Sequence, residues 1–289
     1  PINELSNMFT TIQGALAGAE RVFEVMDEEP EKDEPGAAEM PRPQGDVAME
    51  HIDFAYDPGS PVLKDICFAA KPGTMTALVG PTGAGKTTLI SLLVRFYDPQ
   101  RGRIIIDGRD EKDFTKDSLR SNIGMVLQDT FLFSESILDN IRYGRPDASR
   151  EEVVAAAKMA NAHSFIQRLP EGYDTVLEDN GENFSQGQRQ LLSIARVILA
   201  RPSLLILDEA TSSVDTGTEM EIQEALMKLM HGRTSFVIAH RLSTIRRARQ
   251  ILVVNAGQII ERGTHEELLA RDGFYAGLYN SQFRMSLVE

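Results

Sequence analysis

The 289-residue chain has no tryptophan and a single cysteine, Cys67. One cysteine excludes an internal disulfide and fits a reducing compartment. Within "DICFAA" its expected role is that of a small buried apolar side chain. Positive charge is also scarce: 30 Lys and Arg stand against 43 Asp and Glu, a formal charge of -13. That balance disfavours broad contact with nucleic-acid phosphates or anionic lipid, so any polyanion must be gripped locally. No apolar run reaches the roughly 18 residues of a membrane helix, and no secretory signal opens the chain. The expectation is a soluble, cytoplasmic chain. It opens on Pro1, as would a chain cut from a longer one or one relieved of its initiator Met.

What remains is ample for folding, since 42% hydrophobic residues over this length bury a sizeable core. Ile2, Leu5, Phe9, Ile12, Leu16, Ala19, Phe23 and Met26 step by three and four, which predicts an amphipathic helix over 1–26. The stretch "DEEPEKDEPGAAEMPRPQG" that follows has the composition of an acidic, Pro-rich linker over 27–45. A larger domain is expected over 46–289. There "VAMEHIDFAY" alternates like a strand, while "MTALVG", "NIGMVL", "SLLILD" and "TSFVIAH" read as short interior strands. "RGRIIIDGRD" couples an apolar run to an Asp107-Gly108 turn, and "QILVVNAGQIIERG" adds strands near the end. From about 129 to 200 the pattern is helical, most clearly in "REEVVAAAKMANAHSFIQRL". The fold class is therefore α/β with an inserted helical subdomain. Thr264 and Glu267 in "GTHEELLA" form a capping box, which leaves His265 as a solvated first-turn residue.

"GPTGAGKTT" (Gly80, Pro81, Thr82, Gly83, Ala84, Gly85, Lys86, Thr87, Thr88) matches the phosphate-binding pattern G-x-x-x-x-G-K-[ST], with an apolar strand before it and a periodic helix after it. Glycines let successive amides converge on phosphate oxygens, Lys86 supplies a point charge, and the Thr87 hydroxyl is a Mg²⁺ ligand. A nucleoside triphosphate is the implied ligand. In "LLILDEATSSVD" an apolar strand ends at Asp208, which delivers a carboxylate for Mg²⁺ to the sheet edge beside that loop. Glu209, one residue later, is suited to polarise a water attacking the γ-phosphate. "ENFSQGQRQ" precedes the apolar run "LLSIARVILA", with Ser185 as N-cap. Capping does not explain Gly187 in the first turn, where Gly costs about 1 kcal/mol relative to Ala.

In their order, these motifs resemble the nucleotide-binding domain of the ABC (ATP-binding cassette) transporter family over roughly Val47 to Tyr279. The resemblance implies a P-loop ATPase core with an inserted helical subdomain and an antiparallel β subdomain, and ATP with Mg²⁺ as cofactors. Phe184, Ser185, Gln186, Gly187 and Gln188 stand where the family's signature usually reads Leu-Ser-Gly-Gly-Gln. On that resemblance the signature caps the γ-phosphate held by the other chain of a head-to-tail dimer, a task suited to a helix N-terminus with a bare glycine. By the same resemblance Tyr56 stacks on adenine, and Gln128 contacts Mg²⁺ or water and relays movement to a membrane domain. His240 contacts the γ-phosphate, and Asp215 lies across the dimer interface. The remaining histidines, at 51, 163, 231 and 265, have no ligand spacing and read as surface or packing residues.

"ALAGAERVFEVMDEEPE" resembles the cytoplasmic end of the last membrane helix in exporters that fuse membrane and ATPase domains. The implied partners are therefore a transmembrane domain and a second nucleotide-binding domain, with no nucleic acid, at the cytoplasmic face of a membrane. Gln186 departs from the family's glycine and bears on the partner's site. It points to a half-transporter with a nonidentical mate, the alternative being a homodimer that tolerates Gln. An importer ATPase normally lacks such a stub. A DNA-working ABC ATPase needs a long coiled coil between its two ATP motifs, where this chain has a compact helical segment. A regulatory module that only binds ATP is opposed by Glu209.

Overall fold

The structure is a computed structural model that describes residues 1–128, 130–178, 181–208, 215–239 and 241–282. Its contacts divide it into two compact units, Pro1–Pro35 and Gly36–Glu289. The first is dominated by α1 (Ile2–Asp27), a helix with no buried residue. No helix among the described residues is long and apolar enough to cross a membrane. The linker-like composition runs on to Gly45, but residues from Gly36 onward belong to the second unit for a local reason. The Ala38 amide donates to the Asp113 carbonyl (2.9 Å), Met40 is buried, and the Asp107 carboxylate accepts from the amides of Gln44, Gly45 and Asp46.

In chain order the second unit contains β1 (Val47–Ala55), β2 (Pro61–Ala70), β3 (Met75–Val79), α2 (Lys86–Leu93), β4 (Arg101–Ile106) and β5 (Arg109–Asp110). There follow α3 (Lys116–Ser121), β6 (Ile123–Val126), α4 (Ile137–Arg142), α5 (Arg150–Met159), α6 (His163–Ile166) and α7 (Gln186–Ala200). The last part holds β7 (Leu204–Asp208), α8 (Thr216–Met230), β8 (Thr234–Ile238), α9 (Leu242–Ile245), β9 (Gln250–Asn255), β10 (Gln258–Gly263), α10 (His265–Ala270) and α11 (Phe274–Gln282).

The strands form two sheets. One is antiparallel, in the order β2-β1-β4-β5, and the other runs β10-β9-β3-β8-β7-β6, parallel from β9 to β6 with β10 antiparallel at one edge. The interior strands are apolar on both faces because both faces are covered. Along β7, Leu204 and Ile206 join a core shared with Met49, Ile52 and Phe54 of the antiparallel sheet. Leu205 and Leu207 turn to the other side and join the core of α4, α5 and α7. Each such buried side chain stabilises the fold by about 1.5–3 kcal/mol.

The helical pattern over "REEVVAAAKMANAHSFIQRL" is divided between two helices, α5 and α6. Ser149 and Glu152 cap α5 with a reciprocal box, but Asn161 adopts φ 58°, a left-handed conformation that Asn tolerates better than most residues. Its side-chain amide then donates to the Glu221 carbonyl (3.0 Å), so the break is anchored to α8. Two expectations need correcting. Cys67 is only half-buried, on the exposed face of β2. His265 does follow the capping box of Thr264 and Glu267, yet its Nδ1 hydrogen-bonds the Tyr275 hydroxyl at 2.7 Å. Partial burial holds its pKa below the usual imidazole value.

Candidate functional site

The carboxyl ends of parallel strands in such a sheet converge on one edge, which is where ligands bind in open α/β folds. β3 ends at Val79 and hands the chain to the Gly80–Gly85 turn, and α2 starts at Lys86. Gly85, the residue before the helix, has φ 105°, and a Cβ there would come within 2.7 Å of the Leu63 side chain. Only glycine meets both conditions. The Lys86 ammonium folds back on the turn and donates to the carbonyls of Gly80 (2.8 Å) and Pro81 (2.9 Å). Burial lowers its pKa from the ordinary lysine value, while the Asp208 carboxylate opposes that shift. Asp208, the last residue of β7, is thus near enough to act on Lys86 electrostatically.

A cavity of about 430 Å³ opens beside the turn, lined by Thr82, Gly83, Gly85, Lys86, Thr87 and Thr88, by Gln128 after β6, by Asp208, and by Val62 and Ile238. Residues from five separated stretches therefore face one space. Val62 carries no local sequence signal, because it arrives from the β1–β2 hairpin. Ile238 had one: it ends a strand that pairs with the strand feeding the turn. Ala84 is buried beneath the turn, and its carbonyl accepts from the Gly257 amide (3.0 Å).

The cavity's oxygen donors, the Thr87 hydroxyl, the Gln128 amide oxygen and the Asp208 carboxylate, are the hard ligands that Mg²⁺ prefers. The donor set fits that ion. Tyr56 lies outside this cavity and lines a neighbouring hollow of about 400 Å³ with Phe54 and Gln100. It is tied to the phosphate side by its hydroxyl, which donates to Thr88 Oγ1 at 3.2 Å. Phe54 and Tyr97 pack against it edge-on, with centroids 4.9 and 5.1 Å away. The ring is thereby held upright and 49% exposed.

The signature residues go elsewhere. Ser185 is the N-cap of α7, and its hydroxyl accepts from the Gln188 amide while the Gln188 side chain accepts from the Ser185 amide. Gln188 is thus a structural cap as well. Gln186 and Gly187 form the first turn, and none of these four residues lines the cavity. Asp215, exposed, caps α8 by accepting from the Thr218 amide (3.0 Å). That bond is the main reason its carboxyl sits below the ordinary range. Glu209 and His240 lie outside the described residues.

Residues 63–212 match the family described as ABC transporter, which is more than half of the chain. The chain belongs to the ABC transporter family. It carries the family's ATP-binding portion, with the P-loop ATPase fold, and its relatives are of the exporter kind. The ABC transporter ATP-binding protein YfiC of Bacillus subtilis is 58% identical over 284 residues, covering 98% of this chain and 47% of that protein. The fatty acid ABC transporter ATP-binding/permease protein of Mycobacterium bovis is 55% identical over 275 residues, 95% of this chain and 43% of that one. A bacterial Atm1-family ABC exporter solved with ATP bound is 42% identical and superposes with a TM-score of 0.85 over 95% of this chain and 48% of that structure's chain. The chain thus spans about half the length of the relatives it matches.

Proposed function

We propose that this chain is the ATP-hydrolysing portion of an exporter, working as one half of a head-to-tail pair in which each ATP is enclosed by two chains. One observation supports this above others. The phosphate turn, Lys86, Thr87, Gln128 and Asp208 share a cavity, whereas the capped helix tip Ser185–Gln188 lies apart from it on the same chain. A cavity with amides and a cation on one side and no cover from its own signature calls for a second copy or a nonidentical mate.

In this reading the turn amides and Lys86 hold the β- and γ-phosphates, and Tyr56 supports the adenine. The Ser185 hydroxyl, the backbone of Gln186 and Gly187 and the Gln188 side chain close over the γ-phosphate from the partner, with Asp215 beside them. Thr87, Gln128 and Asp208 would hold Mg²⁺, which neutralises charge on the phosphates. Glu209 orients or deprotonates the attacking water, and His240 contacts the γ-phosphate. Placing a cation and oriented dipoles where charge develops stabilises the transition state. The apolar stripe of α1 belongs against a transmembrane domain as the cytoplasmic end of its last helix, with 27–45 as linker and 46–289 as the ATPase domain at the cytoplasmic membrane face.

The test is Glu209→Gln. Removing a general base lowers turnover by about 10²–10⁴-fold, ATP affinity stays, and an ATP-bound dimer accumulates in analytical ultracentrifugation. A variant that stays monomeric with MgATP at every concentration overturns the two-chain site. Unchanged turnover overturns the role of Glu209.

A further inference from the structure

The β1–β2 ladder carries three irregularities, and two of them sit side by side around Ile52. Between the pairs Met49–Phe68 and Ile52–Ile66, β1 sets Glu50 and His51 against Cys67 alone. Between Ile52–Ile66 and Phe54–Leu63, β2 sets Lys64 and Asp65 against Asp53 alone. These are two bulges on opposite strands, and each drives one residue left-handed: His51 at φ 53° and Asp65 at φ 50°, which is uncommon for non-glycine residues. The neighbouring strand accommodates the first bulge with Gly102, where a Cβ would run into the carbonyl oxygens of Glu50 and His51. The Asp53 carboxylate secures the second by accepting from the Asp65 amide (2.7 Å).

The bulges bring three different donor atoms to one exposed patch. His51 Nδ1 lies 2.7 Å from Asp65 Oδ1 and 3.5 Å from Cys67 Sγ. All three ligand atoms fall within 4.8 Å of one another. Bonds of about 2.0–2.3 Å from a tetrahedral zinc to N, O and S leave its ligands roughly 3.3–3.8 Å apart. Small side-chain rotations reconcile the two geometries. We propose that His51 Nδ1, Asp65 Oδ1 and Cys67 Sγ form a site for a borderline-soft divalent cation of the zinc class, with water as fourth ligand.

The chemistry separates this site from the oxygen donors around Lys86. Magnesium favours octahedral oxygen and gains nothing from a thiol, whereas imidazole and thiolate favour zinc-class ions. Binding takes up the cation on a neutral imidazole nitrogen, a carboxylate and a thiolate, and releases the thiol proton to solvent. The bound ion would staple β1 to β2 across both bulges. Those strands form the hairpin that carries Tyr56 and Val62, so the staple would stiffen one wall of the ATP site.

Because Cys67 is the chain's only cysteine, one spectrum tests the proposal. The 289-residue chain is stripped with chelator and titrated with Co²⁺ in excess Mg²⁺. The expected result is a thiolate-to-cobalt charge-transfer band in the near ultraviolet that saturates at one equivalent and is displaced by Zn²⁺. Cys67→Ser, a near-isosteric change on an exposed face, removes the band. His51→Asn, which keeps a residue tolerant of the left-handed backbone, and Asp65→Asn each weaken binding about 10-fold or more; retained ATP binding shows that the variants are folded. A parent chain that gives only the spectrum of hydrated cobalt overturns the site. So does a Zn²⁺ affinity, measured by calorimetry, that is equal in the parent and Cys67→Ser.

Discussion

At the phosphate turn the polar groups point inward: Lys86 folds onto the carbonyls of Gly80 and Pro81, and residues from five stretches of chain line one cavity. At the tip of α7 the polar groups close on themselves, with Ser185 and Gln188 exchanging hydrogen bonds across the first turn. The first region is a cup assembled by the tertiary fold and the second a plug assembled by local capping. A cup needs the whole sheet in register, whereas a plug needs only one helix start. The two therefore respond differently to substitution.

The sharpest break is to disable each region on a separate chain. Lys86→Ala removes the cation in the cup and should lower turnover by about 10²–10³-fold, the scale of losing one preorganised electrostatic contact. Ser185→Asp keeps an N-cap but presents a carboxylate to the γ-phosphate, and should be similarly inactive. Mixed in equal amounts, the two inactive chains form hybrid pairs with one intact cup under one intact plug, so about a quarter of parental turnover returns. A mixture as inactive as its parts would show that the two regions do not meet across chains.

Tyr56 sharpens the description of the cup's rim. Its ring is braced by Phe54 and Tyr97 and tethered to Thr88. Stacking of a base on an aromatic ring is worth about 1–3 kcal/mol. Tyr56→Ala should therefore raise the ATP dissociation constant about 5- to 160-fold in calorimetry, while Tyr56→Phe stays close to the parent. Equal loss in both variants would make the hydroxyl tether, rather than the ring face, the important part.

The plug's local character gives a smaller effect. Ser185→Ala removes the cap from α7 and should cost about 1 kcal/mol, lowering the thermal midpoint by about 2–4 °C for a domain of this size. Ser185→Asp should leave the midpoint unchanged. A midpoint that falls equally in both would mean that the hydroxyl is held by something other than the Gln188 amide.

The contrast also explains which parts could be read in advance. The turn and the plug are local, so Gly80 to Thr88 and Ser185 to Gln188 announce themselves within nine residues or fewer. Asp208 was readable because the apolar strand ends on it. Val62 was not, since its place in the cavity depends on how a hairpin folds over the turn. Cys67 departs from its expected burial for a different reason: Ile66, Phe68 and Ala70 are the inward-facing residues of "DICFAA", and strict alternation leaves the small apolar Cys67 on the outer face. Asn161 broke a helix whose apolar spacing continues through it, because one left-handed residue leaves the sequence pattern intact.

The smallest expected effect lies beneath the cup. Arg95, just beyond α2, is buried and donates to the Phe114 carbonyl (3.1 Å) and to Asp98 (3.2 Å). Beside it Glu111 is 1% exposed, and among the described residues neither carboxylate oxygen has a hydrogen-bond partner. Burial raises the Glu111 pKa well above its ordinary value, with the Arg95 guanidinium opposing the shift. A carboxyl whose folded pKa is raised binds its proton more tightly in the folded state. Its contribution to stability is complete below the unfolded value of about 4.3 and is lost as pH rises towards the folded value. Glu111→Gln removes that titration without changing the shape of the side chain. The variant's thermal midpoint should gain on the parent's as pH rises from about 4, reaching about 2 °C, and the gap should close again in acid. ATP affinity should stay within about twofold, since Glu111 lies outside the cavity and one pKa unit of coupling would already exceed that. A gap that does not vary with pH would show that the carboxyl keeps the same charge in both states, and would make the layer under the cup as self-contained as the plug.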